Sequence, residues 1–266
     1  MINLQQLIDE EMKKGYSGDS ASAKVCQDIV LKAISESSLK RNVTVKGGVV
    51  MRSKTNNIRR ATQDMDIDFI RYSLADGAID IFIEQLNCLD GILIERTGDI
   101  TELKQQDYHG KRVFVTISDT SGNHLRSKID LGVHKRLEIE QEEYCFDIAY
   151  DDEGASLLIN TNEQMFSEKL RSLLKFGAFS TRYKDVFDMY YLKDHIEKIK
   201  LLNSLEIYIF NDDGMRENNI TDILMRLQRI FSDKRYRQTL DRSDKRWIDE
   251  NIDTILNGLL DFIRKI

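Results

Sequence analysis

The stretch that decides the fold reads Val43-Thr44-Val45-Lys46-Gly47-Gly48-Val49-Val50-Met51-Arg52, then a linker rich in Arg and Asn, then Arg60-Ala61-Thr62-Gln63-Asp64-Met65-Asp66-Ile67-Asp68-Phe69. Its β-branched opening predicts a short strand, the paired glycines a turn, and the residues after them a helix. Such a strand–turn–helix aims backbone N–H groups at an anion. Asp64, Asp66 and Asp68 alternate with Met65, Ile67 and Phe69, so on a strand the three carboxylates share one face and the apolar residues take the other. Stacked carboxylates push one another toward protonation unless a cation sits among them, and an i, i+2 pair can hold a divalent metal through oxygen. A plain turn and an acidic solvent-facing strand are the competing readings. An EF-hand is excluded, because Phe69 and Ala75 stand where its loop needs Gly and Glu.

Working outward, residues 2–14 and 21–39 carry apolar positions at helical spacing, with Asp19 and Ser20 available as an N-cap. From 43 to about 150 come short runs of β-branched and aromatic residues, at 43–45, 65–70, 91–96, 113–117, 125–133 and 144–149, interrupted by a helix near 75–88. Mixed strands with few helices between them predict an α+β domain around one sheet. After Asp151-Asp152-Glu153-Gly154 the period returns to about 3.6, and Thr161-Asn162-Glu163-Gln164 has the T-x-x-Q form of a capping box. Helices are expected at 163–176, 183–195, 197–210, 216–231 and 247–265, which places a domain boundary near 155: residues 1–155, then a helical bundle, 156–266.

Composition narrows the class. The chain has 266 residues, 39 Lys+Arg against 45 Asp+Glu for a net charge of −6, and 41% apolar residues, which excludes wholesale disorder and collagen. Apolar runs stop at about four residues, as in Ile207–Phe210, where a membrane helix needs roughly twenty. The first dozen residues include Asp9, Glu10 and Glu11 and lack an apolar region, so no secretory signal is read and a cytoplasmic protein is expected. Cys26, Cys88 and Cys145 have neither CxxC spacing nor the density of a disulfide scaffold and are expected to be reduced. There is no proline, so turns fall to Gly, Asn, Asp and Ser. The four histidines, His109, His124, His134 and His195, lack close ligand spacing and are expected at the surface or at strand edges. No Walker loop, G-x-S-x-G elbow or H-E-x-x-H pair is present.

A further carboxylate comes from Lys128-Ile129-Asp130-Leu131-Gly132, where Asp130 lies between apolar neighbours on an expected strand. Gly-Gly after a strand, an Asp-x-Asp pair sixteen residues on, and a third Asp on a later strand resemble the DNA polymerase beta-like nucleotidyltransferase superfamily. Lys46-Gly-Gly and Arg60-x-Thr62-x-Asp64-x-Asp66 narrow the resemblance to the AbiEii/AbiGii toxin family. Glu168-Lys169-Leu170 and Thr181-Arg182-Tyr183-Lys184-Asp185-Val186-Phe187-Asp188 are similar to that family's helical segments, and the resemblance spans roughly residues 43–192. Taken alone, the second block also reads as a surface helix with a Lys184–Asp188 i, i+4 pair.

The resemblance implies a polymerase beta-like domain followed by a helical bundle. It implies Asp64 and Asp66 as a magnesium pair with Asp130 as third carboxylate, and Lys169 and Asp185 completing the catalytic set. Lys46, Gly47, Gly48, Arg60, Thr62, Arg182 and Lys184 are implied to face the nucleotide. It further implies an NTP substrate, a cognate antitoxin encoded nearby, a toxin-antitoxin or phage-defence (abortive infection) role, and, for some members, tRNA as acceptor. Two departures stand out: Val49 replaces the Ser or Thr that many nucleotidyltransferases place after the paired glycines, and Asp68 makes Asp66-x-Asp68 an alternative pair. The R-x-T spacing selects Asp64 and Asp66.

Local charge bears on the acceptor. Residues 226–246 hold eight Arg or Lys against three Asp, with Tyr236 among them, and 52–60 holds four basic residues and no acid. Such patches suit a phosphate backbone or a solvated helix face. A small-molecule nucleotidyltransferase and a catalytically silent nucleotide-binding fold are the rival functions.

Overall fold

The computed structural model of the chain describes residues 2–103, 110–136, 138–242 and 244–266. It divides into two compact units, Met1–Asn160 and Thr161–Ile266.

In the first unit, α1 (Leu4–Lys13) opens on Asn3, whose side chain accepts the Gln6 N–H, and buries Leu4, Leu7, Ile8 and Glu11 at helical spacing. The longer α2 (Gly18–Glu36) starts three residues before the expected point, behind Ser17 rather than Asp19 or Ser20. Its Val25, Ile29, Val30 and Ile34 are wholly buried, each worth about 1.5 to 3 kcal/mol of apolar transfer. Then follow β1 (Val43–Lys46), α3 (Gly47–Thr55), β2 (Met65–Phe69), α4 (Asp76–Gln85), β3 (Ile92–Glu102), β4 (Lys111–Asp119), β5 (His124–Val133), β6 (Glu142–Ile148) and β7 (Asp151–Ile159).

All seven strands form one mixed sheet in the order β3-β4-β5-β2-β1-β7-β6. The central strands β2 and β1 are antiparallel to each other, β2 is parallel to β5 and β1 is parallel to β7. The period-2 reading of β2 holds: Met65, Ile67 and Phe69 are buried, and Phe69 meets Phe82 of α4 edge-on at 5.0 Å between ring centres. With α2 packed along β5, β6 and β7, the apolar face is covered and the aspartates lie on the other.

One strand went unread. The sequence predicts helix beyond Gly154, whereas Asp151–Ile159 is β7, and the compact division falls after Asn160 rather than near 155. Asp151-Asp152-Glu153-Gly154 looks like a linker, yet it is the first half of β7, directly after the Ala149–Tyr150 turn of the β6–β7 hairpin. Asp151 accepts the Glu153 N–H and pairs with Lys32 of α2 at 2.7 Å, and Gly154, at φ 68°, sits against the Phe146 carbonyl where a Cβ would clash at 2.5 Å. Beyond it Ala155, Leu157 and Ile159 point inward in strand alternation.

The second unit is helical: α5 (Asn162–Phe176), α6 (Tyr183–Leu192), α7 (Lys198–Leu205) running into a π-turn at Glu206–Phe210, α8 (Ile220–Ser232), α9 (Lys234–Asp241) and α10 (Ile252–Arg264). Thr161 caps α5 by accepting the Gln164 N–H, as the T-x-x-Q pattern predicts, but the Gln164 amide donates to Glu168 and Tyr208 instead of closing the box. The expected segment 216–231 begins later, at 220, and α9 is an additional short helix. Among the described residues no helix is long and apolar enough to cross a membrane. Cys26 is buried, Cys88 and Cys145 are exposed, and all three are thiols.

Candidate active site

The site of the first unit is a row across four strands. Arg112 of β4 is the register partner of Asp130 on β5, Asp130 of Asp66 on β2, and Asp66 of Lys46 on β1. Partners on neighbouring strands lie about 4.8 Å apart with side chains on the same face, so two carboxylates stand side by side between two cations. At an effective dielectric of about 20 two such charges repel by roughly 3 kcal/mol. The carboxyl of Asp66 is pushed up to about 6: desolvation by the surrounding protein is the largest cause, Lys46 opposes it, and Asp130, Asp64 and Asp68 add to it.

The other carboxylates are held by basic partners. Arg112 grips Asp130 with two parallel bonds of 2.7 and 2.8 Å. Lys128, two residues before Asp130 on the same face of β5, lies 2.5 Å from Asp64. Lys46 lies 2.7 Å from one oxygen of Asp68 and 2.8 Å from the other. These pairs differ in exposure: the Lys46 and Asp68 side chains are 11% and 7% exposed, those of Lys128 and Asp64 34% and 48%.

The paired glycines are explained by close approach. A Cβ on Gly47, which has φ 67°, would stand 2.5 Å from Asp66 Oδ2, and one on Gly48 would stand 2.5 Å from Thr62 Oγ1. The Gly-Gly turn therefore packs against both halves of the R-x-T-x-D-x-D motif. Gln27, on the buried face of α2, fixes that motif by donating to the Thr62 carbonyl at 3.0 Å. Arg60 is buried at the end of a short turn, Ile58–Arg60. Val49 is wholly buried, so the position after the glycines serves the core and presents no side chain to a phosphate.

The donor set suits a hard divalent cation: Asp66 and Asp130 on adjacent strands, with Asp64 just ahead of β2, offer oxygen alone. Among the described residues no three acidic, His or Cys side chains are already gathered at metal-ligand distance, and Asp130 and Asp64 are ion-paired with Arg112 and Lys128. The desolvated Asp66, its carboxylate against the glycine turn, fits a cation brought to it.

The remaining residues read from the sequence lie in the second unit. Lys169 of α5 bridges Asp185 at 2.9 Å and Asp188 at 2.8 Å, both on α6, and the Trp247 indole N–H donates to Asp188 at 3.1 Å. Asp188 is wholly buried, which overturns the surface reading of its helix. Arg182, exposed, stands at the N-cap of α6, and Lys184 is half-buried in its first turn. Tyr236 is buried too and packs near Tyr183, so it presents no ring to a base. In the basic stretch Arg226 donates to the Leu174 carbonyl and Arg237 pairs with Asp253, while Arg229, Lys234, Arg235 and Arg242 are exposed. His124 and His195 are exposed as expected, His134 is buried where β5 ends beside β2, and His109 lies outside the described residues.

Sequence reasoning missed Arg112, Gln27 and Trp247, and read Lys128 only as context. Lys128 had a signal, its i, i+2 spacing from Asp130 on a strand. Arg112 had none short of the strand register.

A model of the family described as "Nucleotidyl transferase AbiEii toxin, Type IV TA system" matches residues 29–257. Among solved structures, an antigenic nucleotidyltransferase-like protein from Paracoccidioides brasiliensis is similar at 13% identity, covering 80% of this chain and 90% of that chain, with a TM-score of 0.46. Comparison with curated proteins finds no significant match.

Proposed function

Because the chain belongs to the AbiEii nucleotidyl transferase toxin family of type IV toxin-antitoxin systems, we propose that it transfers a nucleoside monophosphate from an NTP to an acceptor hydroxyl of RNA, with tRNA foremost, using Mg2+. The observation that carries the reading is the row Arg112–Asp130–Asp66–Lys46, with Asp64 two residues before Asp66.

Asp64, Asp66 and Asp130 would hold the metal. When bound, it supplies the Lewis-acid stabilisation of entering and leaving oxygens that phosphoryl transfer requires. The acceptor oxygen bonds to the α-phosphorus, the bond to pyrophosphate breaks, and Asp130 favours loss of the acceptor proton. The burial of Asp68 on Lys46 supports Asp64 and Asp66 as the metal pair, because Asp68 and its countercharge are buried together whereas Asp64 and Lys128 form a partly exposed pair. Gly47 and Gly48 give the triphosphate close access to backbone. In the second unit, Lys169, Asp185, Arg182 and Lys184 are assigned nucleotide-handling roles on the family's pattern alone. The exposed Arg229, Lys234, Arg235 and Arg242 favour a polyanionic acceptor over a small molecule. The family also implies a cognate antitoxin as partner.

The test is incubation of the protein, or of its Asp64→Asn, Asp66→Asn variant, with Mg2+, each labelled NTP and total cellular RNA, resolved on a denaturing gel. Label in a tRNA-sized band with the unmodified protein alone is expected. No label from any NTP, with nucleotide still bound, would overturn the RNA reading in favour of a small-molecule acceptor or a silent fold.

A further inference from the structure

The basic partners of the carboxylates fall into two kinds. Lys46 and Asp68 are buried on each other, a fixed pair. Arg112 and Lys128, by contrast, lie at the accessible end of the row, their side chains 31% and 34% exposed. Both hold carboxylates assigned above to the metal, and Arg112 also feels the charge of Asp64 and Asp66. A metal ion that takes Asp64 Oδ1 and the two Asp130 oxygens displaces both cations. Once displaced, a guanidinium and an ammonium on β4 and β5 would stay beside the metal-binding carboxylates, where phosphates that accompany the metal could take them as countercharges. This chain has a use for them there, since Val49 offers no hydroxyl and Lys46 is committed to Asp68.

We propose that Arg112 and Lys128 are exchangeable countercharges: they hold Asp130 and Asp64 in the metal-free protein and bind the phosphates of the incoming nucleoside triphosphate once a divalent cation has taken the carboxylates. The proposal rests on the metal assignment above. It makes the two residues competitors of the metal and allies of the nucleotide, so their removal has opposite effects on the two ligands. Arg112, with its bidentate grip, carries the larger effect.

Mn2+ alone, followed by electron paramagnetic resonance of the unbound ion, is titrated into the protein and into Arg112→Gln and Lys128→Gln. The preformed Mn2+–triphosphate complex is then titrated by calorimetry. Arg112→Gln should bind Mn2+ alone about tenfold more tightly and Mn2+–triphosphate about tenfold more weakly, with Lys128→Gln changing both in the same directions by about threefold. Lys128 and Asp64 form a partly exposed pair, so that variant keeps the test open if Arg112→Gln fails to fold. Unchanged or weaker Mn2+ binding in the folded variants would overturn the proposal, as would undiminished triphosphate binding. Asp64→Asn, Asp66→Asn separates the two readings: if it binds Mn2+ as well as the unmodified protein does, the metal assignment itself fails.

Discussion

Asp66 and Asp130 are register partners on the parallel strands β2 and β5, two carboxylates side by side in a partly desolvated row. Such an arrangement costs folding energy and is kept for what it does. Asp66→Asn is therefore expected to reduce nucleotidyl transfer by about a thousandfold or more, while the metal-free variant melts at or above the unmodified protein at pH 8. Thermal melts without divalent cation, alongside the labelling assay, check both halves. A lower melting temperature would mean that Asp66 is a structural residue.

Acid stability should centre on Asp119, at the β4–β5 turn. Its oxygens accept N–H bonds from Leu4, Ser121 and Asn123 at 2.9 Å each and from the Asn123 amide at 2.8 Å. Burial pushes its carboxyl up, but these donors outweigh that and hold it down at about 2, against an ordinary 3.8. A carboxyl depressed in the folded state adds stability that is whole above the ordinary value and is lost as pH falls toward 2. Between pH 4 and pH 2, Asp119→Asn should show a shallower loss of stability than the unmodified protein, and at pH 7 it should be less stable by about 2 kcal/mol. Denaturant titrations across that range provide the comparison, and parallel curves would sink the assignment.

In the second unit, Lys169 has structural as well as proposed catalytic weight. It neutralises Asp188, which is wholly buried, and ties α5 to α6. Removing one partner of a buried pair leaves the other charge uncompensated. Lys169→Met should cost about 3 kcal/mol or more, and Asp185→Asn less, since Asp185 is more exposed and Lys169 keeps Asp188. Equal melting temperatures for Lys169→Met and the unmodified protein would reduce Lys169 to its proposed catalytic role.

What the sequence made legible follows from physical range. The β2 face, the Gly-Gly turn and the Thr161 cap are written in residues two or three apart, where spacing alone sets direction. The row is not: Arg112 reaches Asp130 only through the register of β4 on β5, and Gln27 reaches Thr62 from a helix thirty-five residues upstream. β7 was hidden for another reason. Its first four residues, polar and glycine, have the composition of a linker, and only the inward alternation of Ala155, Leu157 and Ile159 marks the strand. Burial misleads in a similar way, because Asp188 and Tyr236 occupy polar stretches yet face the core of their unit.

The contact between Gly48 and Thr62 offers the most specific test of how the turn sets the site. An alanine at 48 would place its methyl 2.5 Å from Thr62 Oγ1 and 2.8 Å from Thr62 Cβ, so the motif carrying Asp64 and Asp66 must shift. A displacement of about 1 Å can cost a hundredfold in rate. Gly48→Ala should lose about that much transfer activity with a stability cost of about 1 to 3 kcal/mol from overpacking. Thr62→Gly removes the three atoms nearest to such a methyl, so Gly48→Ala, Thr62→Gly should recover much of the stability lost by Gly48→Ala, a coupling of about 1 kcal/mol or more in a double-mutant cycle. Additive effects would show that the glycine is required for some other reason, such as backbone access for the phosphates, and activity without restored packing would point the same way.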